Sequence, residues 1–429
     1  MANKILKPIG KKRRSGLPYN LEFLENKTTT LNQNFLLLAR QGVGKTNVIM
    51  SVIYHMIKTY YEEDSHFGAI PIVFSPLFEL TQLAYPSKNF NLAPHQFSEG
   101  IDCLQFSFKI ANPPEESGIR VLGLKFNTLT QEDICAFAGF SGDLRVLGNV
   151  QKILIRLREG IAPCKSYPDG LPPKPNYDID DFLMVMWEDK SLRDALYYVF
   201  SKLKDEGFFD EGLEQIDWLS WIKEKKPIIF NFGDIDDKFL YNSITGILLG
   251  GLWDLSVKFY NSFLKYQRLV SKRDKGLEIR EKDKLTEDEA FLLKNFWVGL
   301  FFDEAHQIFN ATKSTELKYY PAHYYYKKIS DLMGRKRGFK YNFLVTQKIM
   351  ELYYGFRKSF NKLYLGNIIY QNDRDYMNTE LGIKKDHIAK ICGLGKYQWA
   401  VVDLDRYHSR IAGCIKKFTA YLSPSGQSI

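Results

Sequence analysis

Residues 34–50, NFLLLARQGVGKTNVIM, decide the fold. Positions 35–38 (FLLL) form a short run without a polar side chain, the mark of a strand buried on both faces. A tight loop over 39–45 follows at once. From Thr46 onward Val48, Ile49, Val52, Ile53, Met56 and Ile57 recur at helical spacing, so the stretch reads strand, loop, helix. The loop has the form A-x-x-x-x-G-K-T. It fits the phosphate-binding pattern G-x-x-x-x-G-K-[ST] at every fixed position but the first, where Ala39 stands for glycine.

The spacing has a physical reason. Gly42 and Gly44 let backbone N–H groups turn inward and approach phosphate oxygens that a Cβ would obstruct, and the helix behind them adds its positive N-terminal end. Gln41, Gly42, Val43, Gly44, Lys45, Thr46 and Asn47 are therefore the expected nucleotide cradle. Lys45 is placed to reach the β- and γ-phosphates of ATP and Thr46 to hold Mg²⁺.

A second carboxylate-bearing strand completes that reading. Residues 296–302 (FWVGLFF) are a strong strand signal, and they end in Asp303-Glu304. An apolar strand closing on two carboxylates resembles a Walker B motif, with Asp303 holding Mg²⁺ through water and Glu304 polarising the attacking water. The competing reading is a helix N-cap, since AHQIF follows. Residues 341–346 (YNFLVT) form a further strand that ends at Gln347, a polar residue where ligands sit in open α/β sheets.

Length and charge set the outer bounds. The 429 residues hold two or three domain-sized units. The net charge is +9, but Lys4, Lys7, Lys11, Lys12, Arg13 and Arg14 crowd the first fourteen positions, leaving +3 for the rest. Such an arm suits nucleic acid or an anionic surface, or is a solvated tail. Residues 313–340 carry eight basic and two acidic side chains among Tyr319, Tyr320, Tyr324, Tyr325 and Tyr326. They read either as a nucleic-acid surface acting by phosphate contact and stacking or as tyrosines packed under a basic helix. Five cysteines without C-x-x-C spacing argue against a disulfide framework, and no stretch has the length of a membrane span or the form of a signal peptide. A cytoplasmic location is expected.

The remaining chain reads as a basic arm (1–20), an α/β core (21–130 and 225–429) and a mainly helical insertion (131–224). Further strands are expected at 70–75, 120–127, 227–232, 362–369, 398–404 and 410–415. Helices are expected at 131–140, 144–158, 189–203, 213–223 and 238–266. Residues 79–114 read as loops with an edge hairpin, 160–181 as an exposed connection, and 265–288 as a solvated helical hairpin or flexible insertion.

The order ARQGVGKT (39–46), FFDEAHQIF (301–309), GRKRGFKYNFLVTQ (334–347) and YQWAVVDLDRYHSRI (397–411) resembles the HerA/FtsK superfamily of hexameric DNA-pumping ATPases. The resemblance implies a RecA-like P-loop NTPase core of the ASCE class, a mainly parallel sheet flanked by helices, with the Gln347 strand between the strands that precede the P-loop and Asp303. It implies ATP and Mg²⁺ as cofactors, DNA as partner and a homo-oligomeric ring, hexameric in the family. Arg335 would be the finger acting on a neighbour's nucleotide, with Arg337 as understudy, and Gln347 the γ-phosphate sensor. Neither a β-barrel nor membrane helices precede the loop, which favours a mobile-element translocase or packaging motor, with a nuclease, capsid or mobile-element protein as partner. Two other classes stay open: a kinase or small-molecule NTPase, and a nucleotide-gated assembly scaffold.

Overall fold

The computed structural model describes residues 10–12, 18–19, 33–61, 68–76, 78, 80, 83, 100–114, 118–138, 140, 143–163, 167–187, 192–233, 235, 237–281, 284–310, 320–332, 338–357, 359–409 and 415–420. Its strands are β1 (Gly10–Lys12), β2 (Pro18–Tyr19), β3 (Gln33–Leu38), β4 (Ile70–Ser75), β5 (Leu104–Phe108), β6 (Arg120–Leu122), β7 (Ile228–Asn231), β8 (Val298–Phe302), β9 (Phe339–Thr346), β10 (Lys362–Leu365), β11 (Gln398–Asp403) and β12 (Ile415–Ala420). They form one twelve-stranded sheet in the order β2-β1-β12-β11-β10-β3-β9-β8-β4-β7-β5-β6. From β10 to β6 every pairing is parallel, and from β10 to β2 every pairing is antiparallel. β9 thus separates β3 from β8, as the resemblance implied.

Both faces of the parallel half are buried, and each carries an aromatic ladder in register across the strands. On one face Phe301 and Phe35 stack on Phe343 from either side, with ring centroids 4.5 and 4.3 Å away. Val48, Ile49, Val52, Ile53 and Met56 of helix α1 (Lys45–Tyr61) close that face. On the other, Phe302, Phe74, Phe230 and Phe106 follow one another at 4.9, 5.4 and 5.7 Å. Such pairs contribute roughly 0.5–1.5 kcal/mol each beyond their burial. They also fix register, because a slip of one residue would send each ring to the opposite face.

Between β6 and β7 lie α2 (Gln131–Phe137), α3 (Leu144–Glu159), α4 (Ile179–Trp187), α5 (Tyr198–Asp205) and α6 (Trp218–Lys223). The long helix α7 (Lys238–Asp274) lays Ile244, Leu248, Leu252 and Phe259 against the second aromatic face. After Gly276 the chain returns in α8 (Glu287–Asn295), and Lys265 pairs with Glu289 at 2.8 Å, so 265–288 is a helical hairpin. Helix α9 (Ala305–Ile308) follows β8, and α10 (Pro321–Leu332) packs on α7 where Gly246 leaves no room for a side chain. A Cβ there would meet that of Pro321 at 2.2 Å.

Several expectations need correction. Leu104–Phe108 is an interior parallel strand and no edge hairpin. The strand expected over 120–127 ends at Leu122, because Gly123 and Leu124 donate instead to the carbonyls of Glu214 and Phe208. α4 begins inside the stretch read as a connection, and the last strand is Ile415–Ala420, displaced from 410–415. Within the arm, 10–12 and 18–19 join the sheet, β1 pairing with β12. Of the basic tyrosine-rich segment, 320–332 and 338–340 are described and 333–337 are not: Tyr326 of α10 and Lys340 of β9 are buried by packing, while Lys327 of α10 is exposed. Residues 311–319 lie outside the described residues.

Candidate functional site

Because β3, β9, β8 and β4 are parallel, their carboxyl ends emerge along one edge, the crevice in which open α/β sheets hold ligands. Leu38 is level with Thr346, and Phe302 with Leu344, so the loop after β3, the Asp303-Glu304 pair and Gln347 open side by side. The loop is fastened on both flanks: Ala39 N donates to the Thr346 carbonyl and Arg40 N to that of Asn367. Gly42 and Gly44 have φ of +77° and +92°, the region glycine enters without strain, and a Cβ at Gly42 would meet nothing within 4 Å. The backbone has the turn a phosphate cradle needs, and its mouth is open.

Lys45 and Glu304 meet there. Lys45 Nζ lies 3.3 Å from Glu304 Oε1, the two side chains being 8% and 12% exposed. Gln347 Nε2 donates to the same oxygen at 2.8 Å. Glu304 has left-handed backbone (φ 43°, ψ 48°), a conformation that costs a residue with a Cβ about 1–3 kcal/mol. That turn swings its carboxylate toward Lys45 of the loop, and Glu304, at the N-cap position of α9, makes no side-chain cap bond to that helix.

Asp303 is buried beside it. Its Oδ1 accepts the Glu304 N–H at 3.0 Å, and its Oδ2 accepts the Ser75 hydroxyl at 3.4 Å from the end of β4. Thr46 at the start of α1 and Asp303 at the end of β8 offer oxygen ligands of the kind a hard divalent cation selects. Together the arrangement can hold a polyphosphate on backbone and lysine, a cation on oxygen, and a carboxylate next to both.

Sequence reasoning passed over His306. Its Nδ1 lies 3.0 Å from Thr346 Oγ1 and 3.4 Å from Glu304 Oε2. Burial pulls its pKa below the ordinary histidine value, against the neighbouring Glu304 and Glu351 carboxylates. Tyr241, buried below the pair, has its phenol pKa raised well above normal, by burial first and by Asp303 and Glu304 second. Ser75 was passed over too, although it is the polar end of an apolar strand, the signal that singled out Gln347; His306 had no comparable signal. Arg335 and Arg337, the expected fingers, lie outside the described residues, as does the side chain of Asn47.

No protein-family model matches the sequence, and neither does any curated protein. Among solved structures, VirB4 of Thermoanaerobacter pseudethanolicus superposes with a TM-score of 0.54 at 10% identity, over 99% of this chain and 98% of that one. The bacterial conjugative coupling protein TrwBdeltaN70 gives 0.45 at 12% identity, over 100% and 92%. The genome packaging NTPase B204 from Sulfolobus turreted icosahedral virus 2 gives 0.37 at 10%, over 92% and 100%. These three belong to the HerA/FtsK-type P-loop ATPase superfamily that the motifs resemble. The likeness to VirB4 establishes the fold of this chain as that of a RecA-like P-loop ATPase. Among the described residues no helix is long and apolar enough to cross a membrane.

Proposed function

We propose that this chain is an ATP-driven motor of the HerA/FtsK type that hydrolyses ATP at the carboxyl edge of its sheet and moves DNA. The observation that carries the reading is the convergence of Lys45 from the loop after β3 and Gln347 from the end of β9 on one oxygen of Glu304, which ends β8. A chance match to the loop pattern would not bring a strand-end carboxylate and a strand-end amide to its lysine.

Residues 41–47 hold the phosphates, Lys45 turning from Glu304 to the β- and γ-oxygens once ATP enters. Thr46 and Asp303 hold Mg²⁺, which when bound neutralises charge on the phosphate oxygens. Glu304 accepts a proton from water as that water attacks the γ-phosphorus, and ADP and phosphate leave. Gln347, already bonded to Glu304, reads whether the γ-phosphate is present. In a ring, Arg335 of one subunit, or Arg337 as its understudy, stabilises charge on the next subunit's γ-phosphoryl group. DNA is contacted through phosphates by the basic segments at 1–20 and 313–340.

ATP turnover measured with and without double-stranded DNA, beside native mass with ATP present, tests this reading. Stimulation by DNA in a multimer, hexameric by the family's pattern, is expected, with DNA affinity falling steeply as salt rises. A monomer whose turnover ignores DNA would instead support a small-molecule NTPase, and a multimer that binds DNA-independently and turns over slowly would support a scaffold.

A further inference from the structure

Glu304 is held unevenly. Its Oε1 takes both Lys45 and Gln347, while its Oε2 is buried without a hydrogen bond. When Lys45 turns to phosphate, Oε1 keeps only Gln347, and left-handed backbone at 304 gives the side chain no support from the helix that follows. The polar atom facing Oε2 is His306 Nδ1, at 3.4 Å.

The proton on that ring can be placed. Thr346 Oγ1 lies 3.2 Å from the Lys348 carbonyl and can give its single proton there. With that proton donated to the Lys348 carbonyl, Nδ1 faces two acceptors, Thr346 Oγ1 at 3.0 Å and the Glu304 carboxylate, and the tautomer that satisfies both carries its hydrogen on Nδ1. The other ring nitrogen, Nε2, lies 3.8 Å from Glu351 Oε2, a carboxylate already engaged by Lys348 at 2.5 Å. The depressed pKa fits a neutral ring.

We propose that His306 is a positioning residue of the hydrolytic site: its Nδ1–H holds Glu304 through Oε2 and ties it to Thr346, so that the carboxylate and the end of β9 that bears Gln347 keep one geometry after Lys45 has left for the phosphates. The proposal rests on the reading of Glu304 as the group that activates water. His306 itself touches neither water nor phosphate in this role. It acts through Glu304.

The test compares His306→Leu, His306→Asn and His306→Gln in the full chain with Glu304→Gln and with the double variant Glu304→Gln/His306→Leu, reading kcat, KM for ATP and melting temperature. His306→Leu should lose about 10²-fold in kcat, the scale of an ångström's misplacement, with KM and melting temperature near wild type. His306→Asn puts an amide N–H where Nδ1 stands and should recover most of that loss, whereas His306→Gln, whose amide reaches the Nε2 position, should not. In the Glu304→Gln background the leucine should cost nothing further, because both changes disable one unit. Wild-type kcat in His306→Leu would overturn the proposal. So would equal losses in all three single variants with lowered melting temperatures, or losses that multiply in the double variant. Wild-type turnover in Glu304→Gln is a separate result, and it would remove the reading of Glu304 whatever the histidine variants do.

Discussion

Two histidines stand at the short helix α9, half-buried His306 within it and buried His323 packed beside it, and their surroundings differ in kind. On one side His323, fully buried, donates from Nε2 to the Asn310 carbonyl at 3.2 Å and accepts from Asn242 Nδ2 at 3.1 Å. Asn242 also donates to the Ile308 carbonyl at 2.9 Å and accepts the Ala322 N–H at 3.4 Å, so the network is closed. On the other side His306 faces a carboxylate oxygen with no hydrogen bond, on a residue in left-handed backbone beside an ion pair. Closed polar burial fixes packing, here of α7 and α10 around α9. Open, strained polar burial stores a geometry that a ligand can use. The closed cluster anchors the turn on which the open one stands.

The contrast breaks if both clusters respond alike to substitution. The largest effect is expected at Lys45→Ala, which should abolish ATP binding and turnover, because the loop relies on that charge to hold the phosphates. Isothermal titration with ATP and a turnover assay check it, and undiminished turnover would remove the loop from the mechanism. Next in size, His323→Leu strands the Asn242 amide and the Asn310 carbonyl and should cost about 1–3 kcal/mol of stability in denaturant unfolding, with kcat near wild type.

The same residue gives the comparison a pH signature. Burial pushes the His323 pKa down from 6.5 to about 4, so the unfolded chain binds a proton that the folded chain refuses. Its contribution is complete above pH 6.5 and is lost as pH falls toward about 4, where a proton on Nδ1 would oppose the Asn242 N–H. Melting temperature followed over that window should slope downward with acid in wild type and less steeply in His323→Leu; parallel curves would sink the assignment. The smallest effect on stability is expected at Glu304→Gly, which relieves the left-handed strain and should raise stability by about 1 kcal/mol while turnover is lost. A destabilised Glu304→Gly would mean that the carboxylate's bonds outweigh the strain.

How far the chain could be read from its residues follows the same division. β3, its loop and α1 were legible because an uninterrupted apolar run, two glycines and a helical period stand in one stretch of seventeen residues. Gln347 was legible as a polar residue ending a buried strand. β5 was not: Gln105 and Ser107 interrupt it, and only the fold shows that Ser107 Oγ is satisfied by the Asn231 carbonyl, 124 positions away. α4 hid behind the prolines before it, although Asp178 and Asp181 cap each other's backbone N–H at its start. His306 stands two residues from Glu304, but its tie to Thr346 could not be read, since that partner is brought to it by β9 lying beside β8. Local chemistry shows in local sequence, and contacts made by topology do not.

The central claim is that Glu304, held by Lys45 and Gln347, activates water for attack on ATP. Glu304→Gln keeps the shape and removes the charge, so ATP affinity and single-turnover hydrolysis measured on that variant beside wild type test it most directly. Affinity should stay within a few-fold of wild type while hydrolysis falls by roughly 10²-fold or more, the scale of a lost general base. Hydrolysis at the wild-type rate, or loss of binding and hydrolysis together, would contradict it.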